Sequence, residues 1–299
     1  MKNIAFIGLG SMGGPMAANL VKAGYTVRGF DVSDFAKEKA TEAGVTLFDT
    51  AVEATEGADA VITMLPTAQL VADTLAELVT KVENKPAVFI DSSTIGVTEA
   101  RKHAELISQA GSTFLDAPVS GGHGGAVAGT LAIMVGGDEE TFTSVRPVFD
   151  AMGDAITYCG KVGNGQGVKI CNNMVLGIHQ IALAEAFLLG ERIGLDSQTI
   201  YDVISNSTGN SWALQEHAPA KGIDKGFPAD NDFEATAPAA LIAKDLGFAK
   251  EAFEATGTAS VLGIPAAQLF ADFNDSGRGK LDMSGVVLEL AERSENKNA

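Results

Sequence analysis

The first half of the chain alternates short apolar runs with amphipathic segments of helical period. We expect the apolar runs to form strands, because strands buried on both faces read as short, continuous apolar stretches. The predicted strands cover residues 4–7, 26–30, 60–65, 88–90, 113–115 and 131–135. This alternation predicts a mostly parallel sheet with helices on both faces. The last two runs lack a long helix between them, so we expect them to extend the sheet in mixed orientation.

The pattern changes after Tyr158. A glycine-rich junction at 160–167 leads into one long, largely apolar helical segment at 168–193, and strand patterns then nearly vanish. Further helices are predicted at 197–205, 241–256, 264–275 and 284–293. The polar stretch 206–232 is predicted to be irregular. We therefore predict two domains: an α/β domain over 1–162 and an all-α domain over 163–299 that begins with a long interdomain helix.

A glycine-rich turn follows the first predicted strand, where the chain reads GLGSMG from Gly8 to Gly13. The first glycine allows a tight turn, Gly10 lets a pyrophosphate approach the backbone at a helix N-terminus, and Gly13 permits close packing of helix on strand. The second predicted strand ends at Asp31, whose carboxylate would accept hydrogen bonds from ribose hydroxyls. The strand, turn, helix and acid together predict a dinucleotide-binding domain with a doubly wound Rossmann fold.

NAD is the coenzyme that this motif predicts. Asp31 would repel a 2′-phosphate, and the next three residues, Val32-Ser33-Asp34, offer no arginine to hold one. Ligands of open α/β sheets lie at the carboxyl ends of the strands, so later strand ends add candidates. The predicted cofactor contacts are Gly8, Leu9, Gly10, Ser11, Met12, Gly13, Asp31, Leu65, Pro66 and Thr94.

The charge balance excludes some partners. The chain has 299 residues, with 21 Lys and Arg against 38 Asp and Glu, a net charge of −17. Such a charge opposes binding to nucleic acid or to an anionic membrane surface, so we predict neither partner. The chain contains no charge-free run of 18 apolar residues, and its N-terminus does not read as a signal peptide. We expect a soluble, cytoplasmic protein.

Cysteine and histidine usage indicates no metal site. Cys159 and Cys171 are too few for a disulfide framework and are expected to be free and buried. The four histidines lack metal-ligand spacing. His123 is flanked by glycines, and we expect it on a surface loop rather than in proton transfer.

Three features carry candidate chemistry, and each has an ordinary structural alternative. Lys169 in GQGVKICNN shares a helix face with Asn173, so it is either a base near a substrate hydroxyl or a solvated helix lysine. The segment Ser120-Gly121-Gly122 follows a strand and offers consecutive amides to a carboxylate, or is a flexible turn. Lys244 is either a ligand group or half of an exposed pair with Asp245.

Four segments, in order and spacing, resemble the 3-hydroxyisobutyrate dehydrogenases of the β-hydroxyacid dehydrogenase family. They are GLGSMGGPMAANL, DAPVSGG, GQGVKICNN and AKDLGFA, spread over essentially the whole chain. The resemblance implies a Rossmann domain followed by an all-helical domain through which the chain forms a homodimer or homotetramer. It also implies residue roles: general acid/base for Lys169, substrate-carboxylate binding for Ser120, Gly121 and Gly122, substrate positioning for Asn173, and contact with nicotinamide and substrate for Lys244.

The implied reaction is NAD-dependent oxidation of the small 3-hydroxy acid 3-hydroxyisobutyrate to methylmalonate semialdehyde, a step of valine breakdown. The stretch ISNSTGNSW resembles the same branch, in which Trp212 would form an apolar wall for the substrate methyl or anchor a hinge. Reductases of tartronate semialdehyde tend to carry Asn-Arg where this chain has Asp31-Val32. Two alternatives stay open: an enzyme for tartronate semialdehyde, serine, glycerate or 4-hydroxybutyrate, and a non-catalytic dinucleotide-binding regulatory protein.

Overall fold

A computed structural model describes residues 1–296 of the chain. The chain divides into two compact units, Met1–Lys169 and Ile170–Ala299. The division falls inside one long helix, Asn164–Arg192, whose first turns belong to unit 1.

Unit 1 is built on a nine-stranded sheet. Its strands are β1 (Asn3–Ile7), β2 (Thr26–Phe30), β3 (Thr46–Leu47), β4 (Ala60–Thr63), β5 (Val88–Asp91), β6 (Thr113–Asp116), β7 (Val119–Ser120), β8 (Leu131–Gly136) and β9 (Gly153–Gly160). Six strands run parallel in the order β3-β2-β1-β4-β5-β6, the order of doubly wound dinucleotide-binding sheets. Beyond β6, strand β8 is antiparallel to β6 and β7 and parallel to β9.

Helices cover both faces of this sheet. They are α1 (Gly13–Lys22), α2 (Asp34–Glu42), α3 (Ala51–Thr55), α4 (Ala68–Lys81), α5 (Val97–Gln109), α6 (Gly122–Ala128), α7 (Glu139–Asp150) and the start of α8 (Asn164–Arg192). Side chains alternate along β1: Ile4 and Phe6 lie in one apolar cluster, and Ala5 and Ile7 lie in another. Successive residues of a strand point to opposite faces, so β1 is buried on both sides.

Unit 2 is helical, and residues 170–296 contain no β-strand. After α8 it contains α9 (Ser197–Ser205), α10 (Trp212–His217), α11 (Ala239–Thr256), α12 (Gly263–Phe273) and α13 (Val286–Asn296), with 3₁₀ turns at Pro228–Asn231 and Met283–Gly285 and a π-helical turn at Asn274–Arg278. Its larger apolar cluster includes Phe270 and Phe273, together with Ala184 of α8. A second cluster includes Leu183 and Phe187 of the same helix.

Helix α8 is long and apolar enough to cross a membrane by length and composition alone. It supplies side chains to both apolar clusters of unit 2, through Ala184 on one side and Leu183 and Phe187 on the other. A helix that packs on more than one side is expected to be apolar around much of its surface. Packing within unit 2 therefore accounts for its composition.

The predicted fold class is confirmed, including the mixed orientation at the sheet edge. Strands β3 and β7 have two residues each and leave no periodic pattern. Strand β9 was not predicted because only its first residue is buried. The stretch 206–232 contains α10 as well as irregular structure. The expectation that both cysteines are buried is wrong: Cys159 is half-buried and Cys171 is exposed, although both are free.

Candidate active site

The turn between β1 and α1 uses its three glycines in different ways. Gly8 has φ +95°, and a Cβ there would lie 2.3 Å from the carbonyl oxygen of Met64. A Cβ at Gly13 would lie 1.9 Å from the carbonyl oxygen of Gly8. The protein itself therefore excludes a side chain at both positions. A Cβ at Gly10 would meet no atom within 4 Å, so this backbone faces the open space that a closely approaching pyrophosphate needs.

Asp31 follows β2 and ties the end of that strand to the glycine turn. Its Oδ2 accepts a hydrogen bond of 2.6 Å from the N–H of Leu9, and its Oδ1 accepts one of 2.7 Å from the N–H of Ser33. An ionised carboxylate has about four acceptor sites, so about two remain for a ligand. The acceptor sites left on Asp31 and the open backbone at Gly10 fit the adenosine side of a dinucleotide.

The ends of β4 and β5 are joined by hydrogen bonds. Ser93 Oγ accepts from the N–H of Leu65 at 2.9 Å, which connects the turn after β4 to the turn containing Thr94. Asp91 ends β5 and is fully buried, and its Oδ1 accepts from Thr63 Oγ1 at 2.8 Å. Burial raises the pKa of Asp91 to about 6, although hydrogen bonds from Ser93 and Thr63 oppose the rise. Asp91 was not predicted from the sequence, where it reads only as the polar end of an apolar run.

The predicted carboxylate-binding loop lies beside the glycine turn. Gly121 and Gly122 have φ +128° and +63°, backbone conformations that favour glycine. The next residue, His123, lies on α6, and its Nδ1 is 2.8 Å from the carbonyl oxygen of Ser11. His123 is exposed, as expected, but the prediction of a loop is wrong. The contact brings the segment after Ser120 to the predicted nucleotide turn.

The first turn of α8 is anchored to the end of β6. The buried Asp116 accepts a hydrogen bond of 2.7 Å at Oδ1 from the N–H of Gly163 and one of 2.9 Å at Oδ2 from the N–H of Gln166. These bonds satisfy amides that lack partners within the helix. Burial raises the pKa of Asp116, and the bonds from Gly163 and Gln166 oppose that rise. Lys169 lies one turn further along α8 and is 7 % exposed, so a solvated helix lysine is the wrong alternative.

In unit 2, Asn173 belongs to a polar cluster with α11. Its Nδ2 donates to Asp245 Oδ2 at 2.5 Å, and its Oδ1 accepts from Asn172 Nδ2 at 2.9 Å. Lys244 Nζ lies 3.7 Å from the other carboxylate oxygen of Asp245. Asp245 is only 8 % exposed, so an exposed charge pair is the wrong alternative. The structure adds Asp245 to the candidate site residues; the sequence suggests it only as the possible partner of Lys244 in an exposed pair.

Trp212 is the first residue of α10 in unit 2. It is 51 % exposed, and its ring centroid lies 5.1 Å from that of His217. His217 is buried and bonded to Asp282 Oδ1 at 2.9 Å. The contact with His217 favours the anchoring alternative for Trp212. Across residues 1–296, no group of three His, Cys, Asp or Glu side chains is placed to hold a metal ion.

The strand order, the open backbone at Gly10 and the acid at Asp31 define a class: a Rossmann-type dinucleotide-binding protein with a helical second unit. Residues 3–160 match the family model described as the NAD binding domain of 6-phosphogluconate dehydrogenase. Residues 163–290 match the model described as the NAD-binding domain of NADP-dependent 3-hydroxyisobutyrate dehydrogenase.

Known relatives match over nearly the full chain. A probable 3-hydroxyisobutyrate dehydrogenase of Mycobacterium tuberculosis is 48 % identical over 296 residues, which cover 99 % of this chain and 100 % of the relative. An NAD-dependent L-serine dehydrogenase of Pseudomonas aeruginosa is 41 % identical over 96 % of this chain and 97 % of its own. A solved structure of Mycobacterium tuberculosis 3-hydroxyisobutyrate dehydrogenase with L-serine superposes with a TM-score of 0.90 at 49 % identity, covering 97 % of this chain and 99 % of that one.

The chain therefore belongs to the 3-hydroxyisobutyrate dehydrogenase family. The resemblance found in its motifs is confirmed, as is the prediction of NAD binding. The roles of individual site residues stay predictions.

Proposed function

We propose that this protein is an NAD-dependent dehydrogenase that oxidises 3-hydroxyisobutyrate to methylmalonate semialdehyde in valine breakdown. The observation that carries the proposal is the placement of Lys169, a buried amine one turn beyond a helix start that is bonded to the carboxyl end of β6. This is the sheet edge where doubly wound folds bind their ligands. The similarity to 3-hydroxyisobutyrate dehydrogenases supports the substrate, and the L-serine dehydrogenase relative makes L-serine the second candidate.

The cofactor would lie against unit 1. Gly10 leaves its backbone open to the pyrophosphate, and Asp31 would accept hydrogen bonds from the adenosine ribose. The residues around it would be Gly8, Leu9, Ser11, Met12, Gly13, Leu65, Pro66 and Thr94. NAD, when bound, supplies the acceptor for the hydride that leaves the carbinol carbon of the substrate. Preference for NAD over NADP is supported by the negative charge of Asp31 and by Val32-Ser33-Asp34, which offer no arginine.

The chain's own residues would orient the substrate and move its proton. The Lys169 amine, in its neutral form, would take the hydroxyl proton at Nζ as the carbonyl forms, and would return it in the reverse direction. The amides of Ser120, Gly121 and Gly122 would donate hydrogen bonds to the substrate carboxylate, and Lys244 would neutralise its charge. Asn173 would position the substrate by hydrogen bonding, and its own amide is held by Asp245.

A substrate panel tests the function. Initial rates of NADH or NADPH formation would be measured with 3-hydroxyisobutyrate, L-serine, glycerate and 4-hydroxybutyrate, each with NAD and with NADP. Tartronate semialdehyde would be assayed in the reverse direction with NADH and with NADPH. We expect the highest kcat/KM with 3-hydroxyisobutyrate and NAD. A higher value with L-serine would favour the second candidate, and a kcat/KM for NADP equal to that for NAD would contradict the argument from Asp31. A lack of turnover on every substrate would favour the regulatory alternative.

The role of Lys169 is tested by Lys169→Ala, with Lys161→Ala as control. General acid–base catalysis contributes about 10²- to 10⁴-fold, so we expect kcat to fall by at least about 10² while the Kd for NADH, measured by fluorescence, changes little. Lys161 is exposed and precedes α8. Its variant is expected to keep wild-type turnover. Wild-type turnover by Lys169→Ala would rule out the assigned role.

We also propose that the chain forms a homodimer or homotetramer through unit 2 and works in the cytoplasm. A mostly apolar groove of about 350 Å³ lies between α8, α12 and α13. Its lining includes Ile178, Ile181, Leu262, Leu269 and Leu290, together with the charged Glu185 and Arg293. Free Cys159 and Cys171 are compatible with a reducing compartment.

A further inference from the structure

Gln166 is a fully buried residue of α8 to which the proposed chemistry assigns no role. Its side-chain amide binds main chain at both ends: Nε2 donates to the carbonyl oxygen of Ser93 at 2.7 Å, and Oε1 accepts from the N–H of Ile95 at 3.1 Å. These two partners flank Thr94 in the turn between β5 and α5. One carboxamide thus fastens the first turn of α8 to a turn predicted to face the cofactor.

The main chain of Gln166 makes a second attachment. Its N–H donates to Asp116 Oδ2 at 2.9 Å, and the other oxygen of the same carboxylate accepts from Gly163. Asp116 ends β6, the strand next to β5, and the register pairs Asp91 with Asp116. Gln166 is therefore bonded to two adjacent strand ends through different groups.

The connection continues to the strand on the other side of β5. Ser93, whose carbonyl accepts from Gln166, also accepts at Oγ from the N–H of Leu65, in the turn after β4. Its own N–H donates to Asp91 Oδ1 at 3.1 Å. A hydrogen-bonded path thus runs from the turn after β4, through Ser93, to Gln166. Buried polar networks of this kind rigidify a site, because breaking one bond leaves its partner unsatisfied in a medium of low dielectric.

We propose that Gln166 is a positioning residue that fixes Lys169 relative to the cofactor-facing turns after β4 and β5. The proposal rests on the proposed function, in which Lys169 exchanges the substrate proton. Lys169 lies three residues beyond Gln166, so a shift of the helix start moves its amine directly. Misplacement of a catalytic group by about 1 Å costs up to about 10²-fold in rate. A neutral amide suits this position, since it donates at one end and accepts at the other without adding charge beside Asp116.

Gln166→Met tests the proposal, with Gln180→Met as the matched control. Methionine keeps the approximate length and removes both side-chain hydrogen bonds. Gln180 is also on α8 and fully buried, and its Nε2 donates to the His217 carbonyl at 3.1 Å in unit 2. We expect Gln166→Met to lower kcat by about 10- to 100-fold, with a smaller change in KM for the hydroxy acid. Gln180→Met, which removes one buried side-chain hydrogen bond, is expected to lower the melting temperature less than Gln166→Met and to keep kcat near wild type. Equal kcat values for the two variants would overturn the proposal.

Amide hydrogen exchange adds a readout that does not depend on turnover. We expect exchange at Ile95 and at residues 163–169 to speed up in Gln166→Met and to stay unchanged in Gln180→Met. Faster exchange with wild-type kcat, or unchanged exchange, would overturn the positioning role. If wild-type protein oxidises no hydroxy acid, the proposed function fails, and unchanged exchange separately refutes the anchoring role. Gln166→Asn, whose amide is one methylene too short to keep both bonds, replaces the Met variant if that protein does not fold.

Discussion

Asp91 and Asp116 occupy paired positions on β5 and β6, yet their carboxylates meet different surroundings. Both oxygens of Asp116 accept backbone hydrogen bonds from the start of α8. Asp91 accepts only at Oδ1, and its buried Oδ2 has no hydrogen-bond partner among residues 1–296. An ionised carboxylate is costly to bury without partners, so the environment of Asp91 favours the protonated form.

This difference predicts a pH dependence of stability. Because the folded-state pKa of Asp91, about 6, lies above its ordinary value of 3.8, its contribution to stability is present below about pH 4 and is lost as pH rises through 6. Asp91→Asn stays neutral at every pH. From about pH 4.5 to about pH 7.5 we expect wild-type protein to lose about 2 kcal/mol of unfolding free energy relative to this variant, as measured by urea denaturation.

The exposed Asp49 provides the control for that measurement. Asp49→Asn also replaces one carboxylate by an amide, and its urea denaturation over the same pH range controls for the loss of one negative charge as such. A difference between wild type and Asp91→Asn that is the same at both ends of this pH range would contradict the raised pKa.

Site residues differ in how far the sequence could predict them. The glycines of the turn and Asp31 belong to a local motif whose spacing is typical of dinucleotide binding. The structure places them together, since Asp31 accepts a hydrogen bond from the N–H of Leu9 in the turn. The sequence does not predict the contacts of Gln166 with Ser93 or of Asp245 with Asn173, because the partners lie far apart in the chain: 73 residues separate Gln166 from Ser93, and 72 separate Asn173 from Asp245. Periodicity reports which face of a helix is buried, but not which distant backbone group will meet it.

Among the elements, α8 is a helix whose existence the sequence predicts correctly but whose first residue it does not. Its apolar length predicted one long helix, and the structure confirms it from Asn164 to Arg192. The sequence predicts a start at residue 168, after the glycine-rich junction at 160–167. Asp116 accounts for the earlier start by accepting hydrogen bonds from the first turn. A cap supplied by a distant strand end overrides the low helix propensity of glycine.

Two glycines of the turn between β1 and α1 are needed for different reasons. The protein's own backbone leaves no room for a side chain at Gly13, whereas only a bound ligand would need the space beside Gly10. We expect Gly13→Ala to lower the melting temperature sharply, since its Cβ would overlap the Gly8 carbonyl at 1.9 Å. Gly10→Ala should keep the wild-type melting temperature and weaken NADH binding, because only a bound ligand needs the space beside it. Thermal unfolding and NADH fluorescence titration, run on both variants, separate the two effects.

Gly24→Ala controls for loss of glycine as such: Gly24 has φ +91°, but a Cβ added there would meet no atom within 4 Å. It should lose some stability through backbone strain and keep NADH affinity. Unchanged NADH affinity in Gly10→Ala would remove the structural support for a pyrophosphate at this turn.

At the scale of the whole molecule, the alternation of patterns predicted a Rossmann sheet followed by a helical region, and that fold class is confirmed. This alternation reflects which segments are buried, so the predicted fold class does not change when a single residue is assigned to the wrong element. The net charge of −17 acts at the same scale. Two copies of this chain repel each other, so self-association requires enough apolar contact to outweigh the repulsion.

The groove between α8, α12 and α13 is the apolar surface on which this can be tested. Leu262 lines it and is 59 % exposed, whereas Val203 on α9 is equally exposed and does not line it. In light scattering we expect Leu262→Glu to lower the oligomer mass toward that of a monomer, and Val203→Glu to leave it unchanged. Added salt is expected to strengthen association of the wild-type protein, because it screens the repulsion between two negatively charged copies. The Debye screening length falls from about 30 Å at about 0.01 M salt to about 3 Å at about 1 M. A wild-type monomer at all salt concentrations, or an oligomer that Leu262→Glu leaves intact, would rule out this groove as the interface.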